Sequence, residues 1–109
     1  MLSGDALLGM LSALANPHRL RIIGALANGR NYVSQLARDL KISRPLLHMH
    51  LRRLEAVGLV IGTLILSEEE GKAMRYFEVA PFALHLTPER IAEAVQSLSE
   101  GADGNSEKD

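Results

Sequence analysis

The chain predicts an α+β domain, mostly helical, and three observations carry that prediction. Apolar residues recur at helical spacing through much of residues 3–57. Within residues 32–60 two such segments are joined by a short turn; the second is studded with basic residues and ends at Gly58. Two runs rich in β-branched or aromatic residues, 59–66 and 74–80, then flank a glycine-containing linker. Together they outline a helix-turn-helix followed by a two-stranded β wing, with one more helix behind it: a winged helix-turn-helix.

Each element has its own local reason. Leu7, Leu8, Leu11 and Leu14, with Met10, predict an amphipathic helix over 3–15. Asn16-Pro17 marks a break and a restart. Asn16 can cap the next helix, and Pro17 sits where its missing N–H costs nothing. Leu20, Ile22, Ile23 and Leu26 are expected to form the buried stripe of that second helix, with Gly29 ending it. Residues 30–32 read as a short strand-like connector. Val33, Leu36, Ala37 and Leu40 carry a third helix, and Lys41-Ile42 turns the chain. Ser43 caps a fourth helix over 44–57, Pro45 falls in its tolerant first turn, and Leu47, Leu51 and Leu54 are its core side. Residues 59–66 and 74–80 are expected to pair as a hairpin around the seven-residue linker SEEEGKA. Thr87 caps a last helix over 88–99, with Ile91, Ala94, Val95 and Leu98 on its apolar side. Residues 1–99 therefore read as one domain, and 100–109 as a disordered acidic tail.

Composition narrows the function classes. Hydrophobic residues make up 47% of the chain, enough for a core, and aromatics are scarce. There is no cysteine, which excludes disulfides and thiolate metal sites. The first residues carry Asp5 and no basic lead, so they do not read as an export signal, and no apolar run reaches bilayer length. A cytoplasmic protein is expected. The net charge of −1 conceals a division. Residues 1–66 carry Arg19, Arg21, Arg30, Arg38, Lys41, Arg44, Arg52 and Arg53 against Asp5, Asp39 and Glu55, a balance of +5. The remainder balances at −6. A local basic surface matters more for phosphate than the total does.

On the fourth helix, inward leucines leave Pro45, His48, Met49 and Arg52 facing out, with Arg44 near the start and Arg53 on the flank. The N-terminal part of such a helix meets base edges in the major groove. Arg44 and Arg52 can offer paired donors to guanine or bind phosphate; His48 can donate to either; Leu46 or Met49 can touch a thymine methyl. A gap-filling role for Met49 stays open. Ser43, Lys72 and Arg75 complete the expected DNA-facing set.

The stretch 14–60 resembles the ArsR-like winged-helix transcriptional regulators. The matching pieces are LANPHRLRIIGAL, SQLARDLKIS and above all HLRRLEAVGLV, with MRYFEV similar to the family's return strand. The resemblance implies a symmetric dimer built from the first and last helices, presenting two recognition helices to a palindromic operator. By position it puts Arg44, Pro45, Leu46, His48, Met49 and Arg52 on the DNA-facing part of the fourth helix. His50 falls on the family's signature histidine, a mainly structural position. The dimer also follows from surplus apolar surface. Leu7, Leu8 and Leu11, with Ile91, Val95 and Leu98, exceed what one small core needs, and a two-fold axis would bury them.

Two departures stand out. Metal-sensing relatives use a cysteine pair or histidines on the last helix, and this chain has neither. His48 and His50 point to different faces, and His18 and His85 read as isolated, so no metal or other cofactor is expected. The wing tip holds Glu68, Glu69 and Glu70, opposed only by Lys72 and Arg75. Three carboxylates there would weaken non-specific DNA binding; a solvated turn without a role is the simpler alternative.

The expectation is a sequence-specific double-stranded DNA-binding regulator acting as a homodimer. The competing reading is a winged-helix protein-protein interaction module without specific DNA binding, using the acidic wing tip and tail. No glycine-rich phosphate loop or nucleophile–base spacing supports an enzyme. No motif specifies an effector; the FALHL segment could line an apolar pocket, with core packing the simpler reading.

Overall fold

The computed structural model describes residues 2–69 and 71–101. Five helices and three strands follow in the order α1 (Gly4–Leu14), α2 (Pro17–Leu26), β1 (Asn31–Tyr32), α3 (Val33–Leu40), α4 (Arg44–Ala56), β2 (Val60–Ser67), β3 (Lys72–Val79) and α5 (Pro88–Val95). The expected tail lies outside the described residues from 102 onward, as does Glu70 of the wing tip.

Side chains at four of the helix starts satisfy the first free N–H groups, Asn16, Ser43 and Thr87 as the sequence expects and Ser3 in addition. Ser3 accepts from Ala6 N, Asn16 from His18 N and Arg19 N, Ser43 from Leu46 N and Thr87 from Arg90 N. Prolines occupy the first turns of α2, α4 and α5. The ends of α3 and α4 share one closure. Lys41 N donates to Arg38 O and Ile42 N to Ala37 O; Gly58 N donates to Glu55 O and Leu59 N to Leu54 O. This closure needs a left-handed residue. Gly58 supplies it at φ 80°, whereas α3 uses Lys41 at φ 58°.

The core joins the helices to the sheet. Ile22, Leu36, Leu47, Leu51, Leu54, Leu59 and Val60 are fully buried, with Ala13, Leu26, Val33, Ala37 and Phe77 around them. The stripe expected on α2 is corrected at one place: Leu20 is 56% exposed, and Arg19 is buried in its stead. Positions 19, 22, 23 and 26 share a face at 3.6 residues per turn, and position 20 is rotated away from them.

The wing is longer and its loop shorter than expected. β2 and β3 pair antiparallel from Val60↔Val79 to Ser67↔Lys72. Backbone pairing does not require apolar side chains, so it runs on past Leu66 and Met74, and Gly71 at φ 64° supplies a left-handed position in the tighter turn. The connector at 30–32 becomes a third strand: β1 pairs with β3, giving the order β1-β3-β2. Tyr32 meets Tyr76 edge to face, with ring centroids 5.7 Å apart, and Arg30 lies 5.1 Å from the centre of the Tyr76 ring.

The last helix stops at Val95, short of the expected 99. Residues 96–98 tighten into i→i+3 bonds, because Ser97 is held: its Oγ accepts from Gly4 N at 2.8 Å and donates to Ala94 O at 3.2 Å. Asp5 Oδ1 accepts from Ser99 N at 2.9 Å. The end of α5 is thereby tied to the start of α1. Gly4 permits the approach, since a Cβ there would sit 2.2 Å from the Ala94 carbonyl oxygen. Among the described residues no helix is long and apolar enough to cross a membrane.

Candidate nucleic-acid interface

The helix-turn-helix consists of α3, the Lys41-Ile42-Ser43 turn and α4. Ile42 is half-buried against the core and so fixes the turn. On α4, Leu47, Leu51 and Leu54 lock one side, and the outer side follows from the helical period. Arg44, Pro45, Met49, Arg52 and Arg53 are exposed, and Leu46 and His48 are half-buried. Met49, at 44% exposure, is not a gap-filler. No acidic residue occurs on α4 before Glu55. The result is a cationic and apolar strip on a rigid rod, beginning at the helix's positive dipole end.

Other predicted site residues are placed differently. Ser43 is exposed and occupied as a cap. Lys72 is exposed beside the wing turn. Arg75 is exposed, with its guanidinium over the Phe77 ring, 5.2 Å from the centroid. A Cβ on Gly62 would sit 2.8 Å from the Phe77 ring, 3.1 Å from the Arg75 guanidinium and 3.2 Å from the Glu55 carboxylate, so this glycine leaves room for all three.

The six residues expected at a dimer interface do come together. Leu7, Leu8 and Leu11 of α1 and Ile91 and Val95 of α5, with Leu98, line one apolar concavity of about 180 Å³, floored by Gly4 and Ala94. Leu8, Ile91, Val95 and Leu98 are exposed, although they share a single face. Beside it, Ala83, Leu84, His85 and Leu86 of the FALHL connector line a second hollow of about 220 Å³ with Leu2, Leu7 and Arg90.

One polar cluster escaped the sequence reading. Arg19, counted above with the basic surface, is 8% exposed. Its Nε donates to the Ala13 carbonyl at the end of α1, and its Nη1 lies 3.0 Å from Nδ1 of His50 on α4. His50 is 3% exposed, and its Nε2 has no hydrogen-bond partner. His18 is not isolated: its ring lies 5.2 Å from the His50 ring, tilted by 32°. Burial first, then the charges of Arg19, His18 and Arg53, hold His50 below the ordinary imidazole value. Burial and Arg53 likewise lower Arg19. The only sequence signal was phase: Arg19 lies three residues before Ile22, on the buried face. Among the described residues no three metal-binding side chains converge.

Comparison with known proteins agrees with this architecture. Residues 16–61, from the cap of α2 into β2, match the family described as bacterial regulatory protein, arsR family. An HTH-type transcriptional regulator of Methanocaldococcus jannaschii is 35% identical over 82 residues, covering 75% of this chain and 84% of that protein. The HTH-type transcriptional regulator CmtR of Mycobacterium tuberculosis is 41% identical over 72 residues; the match covers 66% of this chain and 57% of CmtR. Among solved structures, the homodimeric winged helix-turn-helix DNA-binding domain of a possible ArsR-family regulator from Mycobacterium bovis superposes with a TM-score of 0.59 at 25% identity, over 82% of this chain and 70% of that one. With the helix-turn-helix, the paired wing and this extent of likeness in hand, the chain belongs to the ArsR family of regulatory proteins.

Proposed function

We propose that two copies of this chain pair through α1 and α5 and read double-stranded DNA with α4, as a sequence-specific, cytoplasmic transcriptional regulator that acts by binding and not by catalysis. One observation carries the reading. The face of α4 opposite Leu47, Leu51 and Leu54 presents Arg44, Pro45, Met49 and Arg52 to solvent, with no acid before Glu55. Such a rod fits the major groove, where guanidinium groups reach guanine edges or phosphates and Leu46 and Met49 offer apolar contact. Ser43, His48 and Arg53 flank that strip. Lys72 and Arg75 serve as backbone contacts from the wing, for which Arg75 must leave Phe77. Residues 1–99 act as the binding domain, with 100–109 as an appended acidic tail.

Selection of bound sequences from a random duplex pool tests the proposal. The expected product is a pair of inverted half-sites about one helical turn apart. Recovery of no enriched sequence would remove it. The protein-contact reading is supported by the wing, whose β2 edge exposes Leu64 and Leu66, the latter by 73%. On that reading the chain shows no preference for any duplex and little affinity at moderate salt.

A further inference from the structure

Arg19 joins three elements that no local sequence pattern connects. It stands on α2, donates to the Ala13 carbonyl in the last turn of α1, and reaches His50 in the middle of α4. A guanidinium has five donors and no acceptor. His50 Nδ1 must therefore accept, which leaves the imidazole proton on Nε2, the buried atom without a partner. An imidazolium has a proton on both nitrogens and cannot accept from Arg19 at all. The charged and titratable groups that act on His50 are Arg19 and His18 from α2 and Arg53 from its own helix. All are cations or potential cations, so no carboxylate among them would compensate a proton gained there.

The placement matters for reading. On α4, His50 follows Met49 and comes within a turn before Arg52 and Arg53, all three exposed. At its other end the Arg19 bridge grips α1, the helix whose Leu7, Leu8 and Leu11 line the apolar face.

We propose that Arg19 is a positioning residue for DNA reading: it sets the attitude of α4 against the pairing helix α1 through a bond that only neutral His50 can accept, so that acidification loosens the reading helix. This rests on the reading of α4 as the DNA-contacting element. A rod of more than three turns, held at its middle by a buried strut, keeps its two copies at a fixed separation in a dimer. When the acceptor is lost, Arg19 and His50 become adjacent buried cations, and α4 is no longer tied to the helix that orients it.

The test uses the full chain and a duplex recovered from the pool. Affinity is measured at constant salt from about pH 7.5 to about pH 4.5, a window that begins above the ordinary imidazole value of about 6.5 and extends well below it, where burial holds His50. The wild type is expected to weaken roughly tenfold across it, the scale of one hydrogen bond to a charged group. His50→Gln offers an amide oxygen that accepts without titrating, and its affinity should change by less than about twofold over the same window. Comparing the two cancels contributions from His18, His48 and His85, which both share. Arg19→Met should bind roughly tenfold more weakly at the upper pH while sedimenting with the wild type. Parallel pH profiles for wild type and His50→Gln, or full affinity in Arg19→Met, would overturn the proposal. Amide hydrogen exchange across residues 44–56 supplies an arm independent of DNA and of any variant's folding. Lower protection of wild-type α4 at the lower pH is expected once the intrinsic, hydroxide-driven change in exchange rate is divided out, and unchanged protection refutes the strut. A wild type that binds no duplex at any pH brings down the DNA reading itself, while the exchange arm still judges the strut.

Discussion

Arg19 occupies a position where its face-mates are Ile22 and Leu26, and the pairing with His50 is what makes that tolerable. A buried donor left without its acceptor costs about 1–3 kcal/mol. The same pair gives the fold a pH dependence whose sign can be worked out. His50 is held below its ordinary value when folded, so the unfolded chain binds the proton more readily. The stabilisation is fully present above about pH 6.5 and is lost as pH falls from there through the lower folded value. Urea midpoints should therefore fall between about pH 7.5 and about pH 5.5 in the wild type, and less so in His50→Gln; equal falls would contradict this account. On the outer side of α4, Arg52→Ala should weaken duplex binding by about 1–3 kcal/mol if Arg52 reads a base. If it meets phosphate, the salt slope should drop by about one unit and all sequences should weaken alike. Binding identical to wild type would exclude Arg52 from the interface. The outward placement of Arg52 was legible because both it and the leucines behind it lie on one helix. The inward role of Arg19 was not, because its acceptor lies 31 positions away.

Elements show the same division. The turn between α3 and α4 uses Lys41 in a left-handed conformation that carries a steric penalty of about 1–2 kcal/mol for a side chain. Lys41→Gly should stabilise the fold by about 0.5–1 kcal/mol, after allowing for the greater freedom of glycine in the unfolded chain. A lower urea midpoint would show that the lysine side chain makes a compensating contact. The caps Asn16, Ser43 and Thr87 were legible because a cap involves residues two or three apart. The wing's loop length was not, because strand ends are set by pairing and not by hydrophobicity. Glu68 and Glu69 are exposed in that turn. Converting both to Gln should tighten binding to random duplex several-fold at low salt, by removing repulsion from phosphates. Unchanged affinity there would mean the tip does not face DNA.

At the scale of the molecule, α1 and α5 form a single unit held by Gly4, Ser97, Asp5 and Ser99. That unit gathers Leu7, Leu8, Leu11, Ile91, Val95 and Leu98 on one face. Val95 is exposed in the single chain, so Val95→Glu should leave the fold intact and yield a monomer with much weakened DNA binding. Sedimentation at micromolar concentration checks it, and an intact dimer would exclude this face as the pairing surface. Gly4→Ala acts on the same unit from inside. Its new methyl would collide with the Ala94 carbonyl, force the two helices apart, and cost about 1–3 kcal/mol of stability. A wild-type melting temperature in that variant would show that the helices can part freely.

By itself the amino-acid order determined the succession of elements, their caps and the outward strip of α4. Those features depend on residues within a turn or two of one another, where helical period and side-chain chemistry suffice. Only the tertiary structure decided which charges remain available. Arg19 is taken by Ala13 and His50, and Arg75 rests on Phe77. It also decided that residues 31–32 join the sheet and that Gly4 lets α1 and α5 touch. Arg75 and Phe77 stand two apart on one strand, but the others are meetings of separate elements, and nothing in a local pattern of hydrophobicity or charge records which elements will meet.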